Sequence, residues 1–90
     1  MSKVYVLVRE ALSNDIIERK VRTYRNRLDA EAVIETEFQA ELGDWNSTYE
    51  PDFFECDTNK DERSIYESGR YLENHIDWQI IECPVLDGVL

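Results

Sequence analysis

The 90-residue chain is long enough for one hydrophobic core and too short for two. Hydrophobic residues at 42% and charged residues at 33% give a globular composition, neither disordered nor membrane-spanning. Twenty acidic against ten basic residues leave a formal charge of −10, which opposes nonspecific binding to nucleic acid or anionic lipid.

The chain opens on five consecutive apolar residues, Val4-Tyr5-Val6-Leu7-Val8, mostly β-branched or aromatic, and Lys3 to Val8 is predicted as a buried strand. That run is too short for a secretory leader and meets Arg9-Glu10 at once. No stretch approaches the roughly 20 apolar residues of a membrane span, so a cytoplasmic setting without a membrane is expected. Ser13-Asn14-Asp15 is a turn cluster, and Ile16 to Tyr24 is again rich in β-formers with charges interleaved. The two segments predict an antiparallel hairpin with one wetter strand.

The clearest element starts at Asp29, a suitable N-cap, with Leu28 and Val33 placed as a hydrophobic staple. Ala30, Ile34, Phe38 and Leu42 recur every four residues, and Gly43 is placed to end the helix as a left-handed cap. The predicted helix therefore covers about 29–42. Trp45 to Asp52, with Pro51, is expected to be loop, Phe53 to Cys56 a short strand, and Asp57 to Glu62 an acidic turn. Arg63 to Leu72 fits both a helical stripe and strands; Gly69 weakens each, and strand is preferred. Ile76, Trp78 and Ile80 alternate with Asp77 and Gln79, which predicts a strand over Ile76 to Cys83. Pro84 is expected to stop its ladder and 85–90 to form a loose tail.

These elements predict one α+β domain over 1–90. An N-terminal β-hairpin, one amphipathic helix and a second β region place the helix on one face of a mostly antiparallel sheet. The expected core is Val4, Val6, Val8, Val33, Ile34, Phe38, Trp78 and Ile80. A domain this small buries only about 60% of its unfolded surface, so self-association would add stability.

Catalytic and metal chemistry find little to work with. Cys56 and Cys83 stand alone, with no paired-cysteine spacing, and with His75 they fall short of a four-ligand zinc set. Both cysteines are expected buried and reduced, and His75 is expected in a solvated turn, Glu73-Asn74-His75. Asp57, Asn59 and Asp61 begin like a calcium loop, but Glu62 stands where that loop needs glycine and Glu67 is one place short of its closing carboxylate. Gly43, Gly69 and Gly88 are too far apart for a phosphate loop. No cofactor, metal or catalytic residue is therefore assigned, and a non-enzyme is favoured.

Charge is unevenly distributed along the chain. Residues 1–28 hold seven basic and three acidic residues, a net +4, and 29–90 hold three basic and seventeen acidic, a net −14. Basic strands that neutralise acidic neighbours are one outcome; a basic face and an acidic face able to meet between copies are the other. Arg19, Arg22, Arg25 and Arg27 form the basic stretch, yet they would spread over both sides of a strand, which disfavours direct nucleic-acid binding. Tyr49, Phe53, Phe54, Tyr66 and Tyr71 exceed what the core needs and are candidates for a contact surface. The expectation is a small cytoplasmic, non-catalytic interaction or regulatory protein with an unidentified protein partner, self-associating, with a dimer favoured. The alternative is a nucleic-acid mimic whose carboxylates, including Glu31, Glu35 and Glu41 on the helix, imitate phosphates.

Overall fold

A computed structural model of the chain describes residues 2–13, 15–68 and 74–85. The elements run β1 (Ser2–Ser13), β2 (Ile16–Tyr24), α1 (Arg27–Thr48), a single 3-10 turn (Pro51–Phe53), β3 (Phe54–Thr58), β4 (Glu62–Glu67) and β5 (His75–Val85). The strands form one sheet in the order β2-β1-β5-β4-β3, every neighbouring pair antiparallel, with α1 packed against it. The α+β class and the N-terminal hairpin are present, and the ambiguous 63–72 segment is strand as far as Glu67, its part from 69 on lying outside the described residues.

The first hairpin turns through Asp15, whose φ of 66° is a left-handed conformation that aspartate tolerates better than most residues. Register then assigns the sheet's two sides. Leu7 lies opposite Arg22 and Ile80, and Ala11 opposite Ile76; this set faces α1. Leu7, Ile65, Ile76, Trp78 and Ile80 pack there against Ala30, Ile34 and Phe38 of the helix. Phe38 meets Trp78 edge to face, with ring centroids 5.9 Å apart at 85°.

Val4, Val6 and Val8 are not in this core. They alternate with Leu7 on β1 and point to the side away from the helix, while Leu7, Ala30, Ile65 and Ile76 take the expected core places. Five apolar residues in a row carry no parity signal, so sequence alone could not say which set the helix would cover.

The helix is longer at both ends than its pattern suggests. Asn26 is the N-cap, its side chain accepting from Leu28 N at 2.9 Å, and Asp29 falls in the first turn. Leu28 is 70% exposed and forms no staple. At the other end Gly43 lies within the helix, because Leu42 and Trp45 continue the stripe onto the core. Ser47 and Thr48 hydroxyls turn back to the Asp44 carbonyl, and Pro51 disfavours helical backbone at Glu50. A Cβ added at Gly43 meets nothing within 4 Å. Gly43→Ala is therefore expected to raise stability by about 0.5–1 kcal/mol in urea titration, with no change in fold.

Pro84 does not end β5, which pairs with β1 as far as Val85. The Ile80 N–H points toward β4, reaching the Asp61 carbonyl at 2.8 Å, and two-residue steps carry Pro84 to the same side. β4 begins opposite Gln79, so no ladder partner lies there for the missing N–H. The tail expected at 85–90 lies outside the described residues after Val85.

Candidate functional site

One helix can cover one side of a sheet, and no helix or strand among the described residues lies over the other. Register places its residues in rows. Val4 sits opposite Cys83; Thr23, Val6 and Ile81 follow; then Val21, Val8, Gln79 and Glu62. Beyond them come Arg19, Glu10, Asp77, Ser64 and Asp57, and finally Ile17, Leu12, His75, Tyr66 and Glu55. The first three rows make an apolar centre on β2, β1 and β5, in which Val21 is 57% and Ile81 40% exposed. Its smallest Cα extent of 16 Å makes the molecule a slab two layers thick, helix and sheet, with nothing over the valines among the described residues.

The fold mixes most of the divided charge. Five ion contacts join the basic N-terminal stretch to the acidic remainder: Lys3–Glu82, Arg9–Glu41, Arg22–Glu37, Arg27–Glu31 and Arg27–Asp61. Arg19 pairs with Glu10 on the open face, and Arg63 with Glu35 on the helix side. Among the described residues no ion pair joins Lys20 or Arg25, on or just past the β2 edge, or Glu50, Asp52 and Glu55 toward the β3 edge; Glu18 on β2 and Lys60 in the β3–β4 turn are likewise without one, and Asp44 lines a cleft with Lys20. Glu31, Glu35 and Glu41 each lie within 3.6 Å of an arginine.

The most elaborate of these contacts surrounds Glu37. Arg22 donates to both of its oxygens, at 2.6 and 2.7 Å, and Trp78 Nε1 adds a third bond at 3.2 Å. The Arg22 hydrogen bonds hold the Glu37 carboxyl below its ordinary pKa against the opposing effect of burial. Arg22 Nε is buried with no hydrogen-bond partner among the described residues, a cost set against the pair.

The candidate aromatic residues separate into two places. Tyr49 and Phe53 stack at 6.2 Å where the helix meets β3, and Trp45 bridges Tyr49 (5.4 Å) and the half-buried Phe54 (5.6 Å). Tyr66 lies on the open face instead, donating to Asp57 Oδ2 at 3.1 Å; that bond holds its phenol above the ordinary pKa. Tyr71 lies outside the described residues.

His75 is not in a solvated turn. It is the first residue of β5, 9% exposed, with Nε2 3.4 Å from Asp77 Oδ2 and 4.0 Å from Glu10 Oε1. Cys83 is eight residues further along the strand, roughly 26 Å away, and Cys56 is on the helix side of β3. Both cysteines are free and, against expectation, neither is buried: Cys56 is exposed because β3 is an edge strand, and Cys83 is half-buried on the side of β5 away from the helix. Asp57, Asn59 and Asp61 belong to a β-hairpin: Asn59 Oδ1 accepts from Asp61 N, and Arg27 bonds Asp61 at 2.7 Å. Among the described residues no three His, Cys, Asp or Glu side chains are grouped to hold a metal, and no helix is long and apolar enough to cross a membrane. A cleft of about 340 Å³ beside the helix is lined in part by Arg9, Ala11 and Trp45, and its Arg9 is already engaged with Glu41 and the Trp78 ring.

Of the surfaces assembled here, the sequence reasoning missed the valine face. The signal was available: a strand apolar on both sides combined with a single helix leaves one apolar side without cover. No protein-family model, curated protein or solved structure matches the chain.

Proposed function

We propose that the chain is a non-catalytic, self-associating protein-interaction domain that works in the cytoplasm through the open face of its sheet. The observation that carries this reading is the apolar centre formed by Val4, Val6, Val8, Val21 and Ile81, with no second layer over it among the described residues. Contiguous apolar surface of this kind mark contact sites on soluble proteins, and its acidic margin repels polyanions rather than attracting them. A second copy suits the surface because both partners then cover the same exposed side chains. Free Cys56 and Cys83 suit a reducing compartment.

Light scattering coupled to size exclusion, run from low micromolar to near-millimolar protein, tests the reading. The mass should rise from monomer toward dimer, and Val6→Asp, which places charge in the apolar centre, should hold the protein monomeric while its circular dichroism is unchanged. A monomer at every concentration overturns it.

A further inference from the structure

Resting on that reading, we propose that the second copy lies face to face, related by a twofold axis parallel to the strands and centred between β1 and β5. The open face is polarised across the strands. On β2 its charge is Arg19, whereas β4 and β3 present Glu62, Asp57 and Glu55 within the strands, with Lys60 in the turn that joins them. An axis along the strands exchanges left for right and keeps each row in line. β2 then lies over the partner's β4, and Arg19 arrives between the partner's Asp57 and Asp77. β1 lies over the partner's β5, so Val6 meets the partner's Ile81 and Val8 the partner's Gln79.

An axis running across the strands gives the opposite result. It sets β2 on β2 and reverses the rows, so with the axis on the middle row Glu62 lies over its own copy and Arg19 over the partner's Thr23, which leaves the basic strand without a carboxylate to meet. Charge complementarity therefore selects the first arrangement. Glu10, which meets the partner's Asp77, comes already paired to Arg19 of its own copy.

The size of the face suits a dimer. The four strands that overlap, at about 4.8 Å spacing and with rows running roughly 26 Å along them, give on the order of 500 Å² per copy, the size of a weak, reversible interface. Sheets packed in this way sit about 10 Å apart with strands within about 30° of alignment. The helices then lie on the two outer sides, and the interface is closed, with no free copy of the same surface left to propagate a fibre.

Cys83 reports on this geometry because it lies on the open face of β5, at one end of the rows. In the proposed dimer the two Cys83 residues are separated by about one strand spacing laterally and one sheet spacing in depth. With the axis across the strands they are roughly 27 Å apart along the strand direction. In Cys56→Ser, where Cys83 is the only thiol, a bismaleimide with an ethylene spacer should give a covalent dimer at concentrations where the protein self-associates. Cys83→Ser, which leaves Cys56 on the helix side of the edge strand, should stay uncrosslinked. A tenfold rise in sodium chloride should weaken the dimer about tenfold by screening the Arg19 contacts, and Asp57→Arg should weaken it to a similar degree. A dimer that forms without Cys83 cross-linking and tightens with salt overturns the arrangement and leaves self-association standing. Absence of any dimer overturns both.

Discussion

Leu7→Ala is expected to destabilise the monomer by about 3 kcal/mol, whereas Val6→Ala or Val8→Ala on either side of it should cost no more than about 1 kcal/mol. Leu7 is fully buried between the helix and the sheet, and truncation leaves a cavity that Ile34, Phe38 and Ile80 cannot all move to fill. Val6 and Val8 are half-buried on the open side, where solvent takes the place of the lost methyl groups. Against a total of roughly 5–10 kcal/mol for a domain of this size, the Leu7 loss is a large fraction and should lower the melting temperature by well over 10 °C. Urea titrations at concentrations that keep the protein monomeric separate the folding cost from any loss of association. Equal costs at positions 6 and 7 would mean that β1 shows its other side to the helix.

That contrast marks where the sequence was legible. The helix, both strands of the hairpin and β5 could be placed because a 3.6-residue stripe (Ala30, Ile34, Phe38) and a two-residue alternation (Ile76, Trp78, Ile80) each commit one face. β1 carries no such commitment, since Tyr5 and Leu7 are as apolar as Val4, Val6 and Val8. The helix ends were misplaced for a related reason. Asp29 and Gly43 are good local cap signals, but Asn26 competes for the start, and the burial of Trp45 beyond Gly43 outweighs the glycine's cost of about 1 kcal/mol in a helix interior. The contact surface was least legible. Tyr49, Phe53 and Phe54 could be suspected by residue type, and they do come together with Trp45. The valine face follows only from counting layers, and the partners of the charged residues follow only from the strand order, which brings Arg22 under α1 and Arg27 to the β3–β4 turn.

Glu37→Gln is expected to cost about 1–3 kcal/mol near neutral pH, and the cost should fade in acid. Glu37 joins three elements: Arg22 on the edge strand β2, its own helix, and Trp78 at the centre of the core. Side chains of Arg22 and Glu37 are each only 29% exposed, so solvent screens the pair less than the contacts at the rim. The Arg22 bonds favour the ionised carboxyl, which places the folded-state pKa of Glu37 below that of the unfolded chain, about 4.3. The unfolded chain therefore takes up a proton first as pH falls. Stability from this ionisation is complete above the unfolded value and is lost as pH drops through the folded one. Glutamine cannot ionise, so the variant lacks both the gain at pH 7 and its loss in acid. Every other carboxylate titrates in both proteins, and the difference between their stability curves isolates position 37. That difference should be widest above about pH 5 and narrow steadily below about pH 4. A gap that stays constant to about pH 3 would mean that Glu37 acts through its shape and its bond to Trp78, with the Arg22 charge contributing nothing.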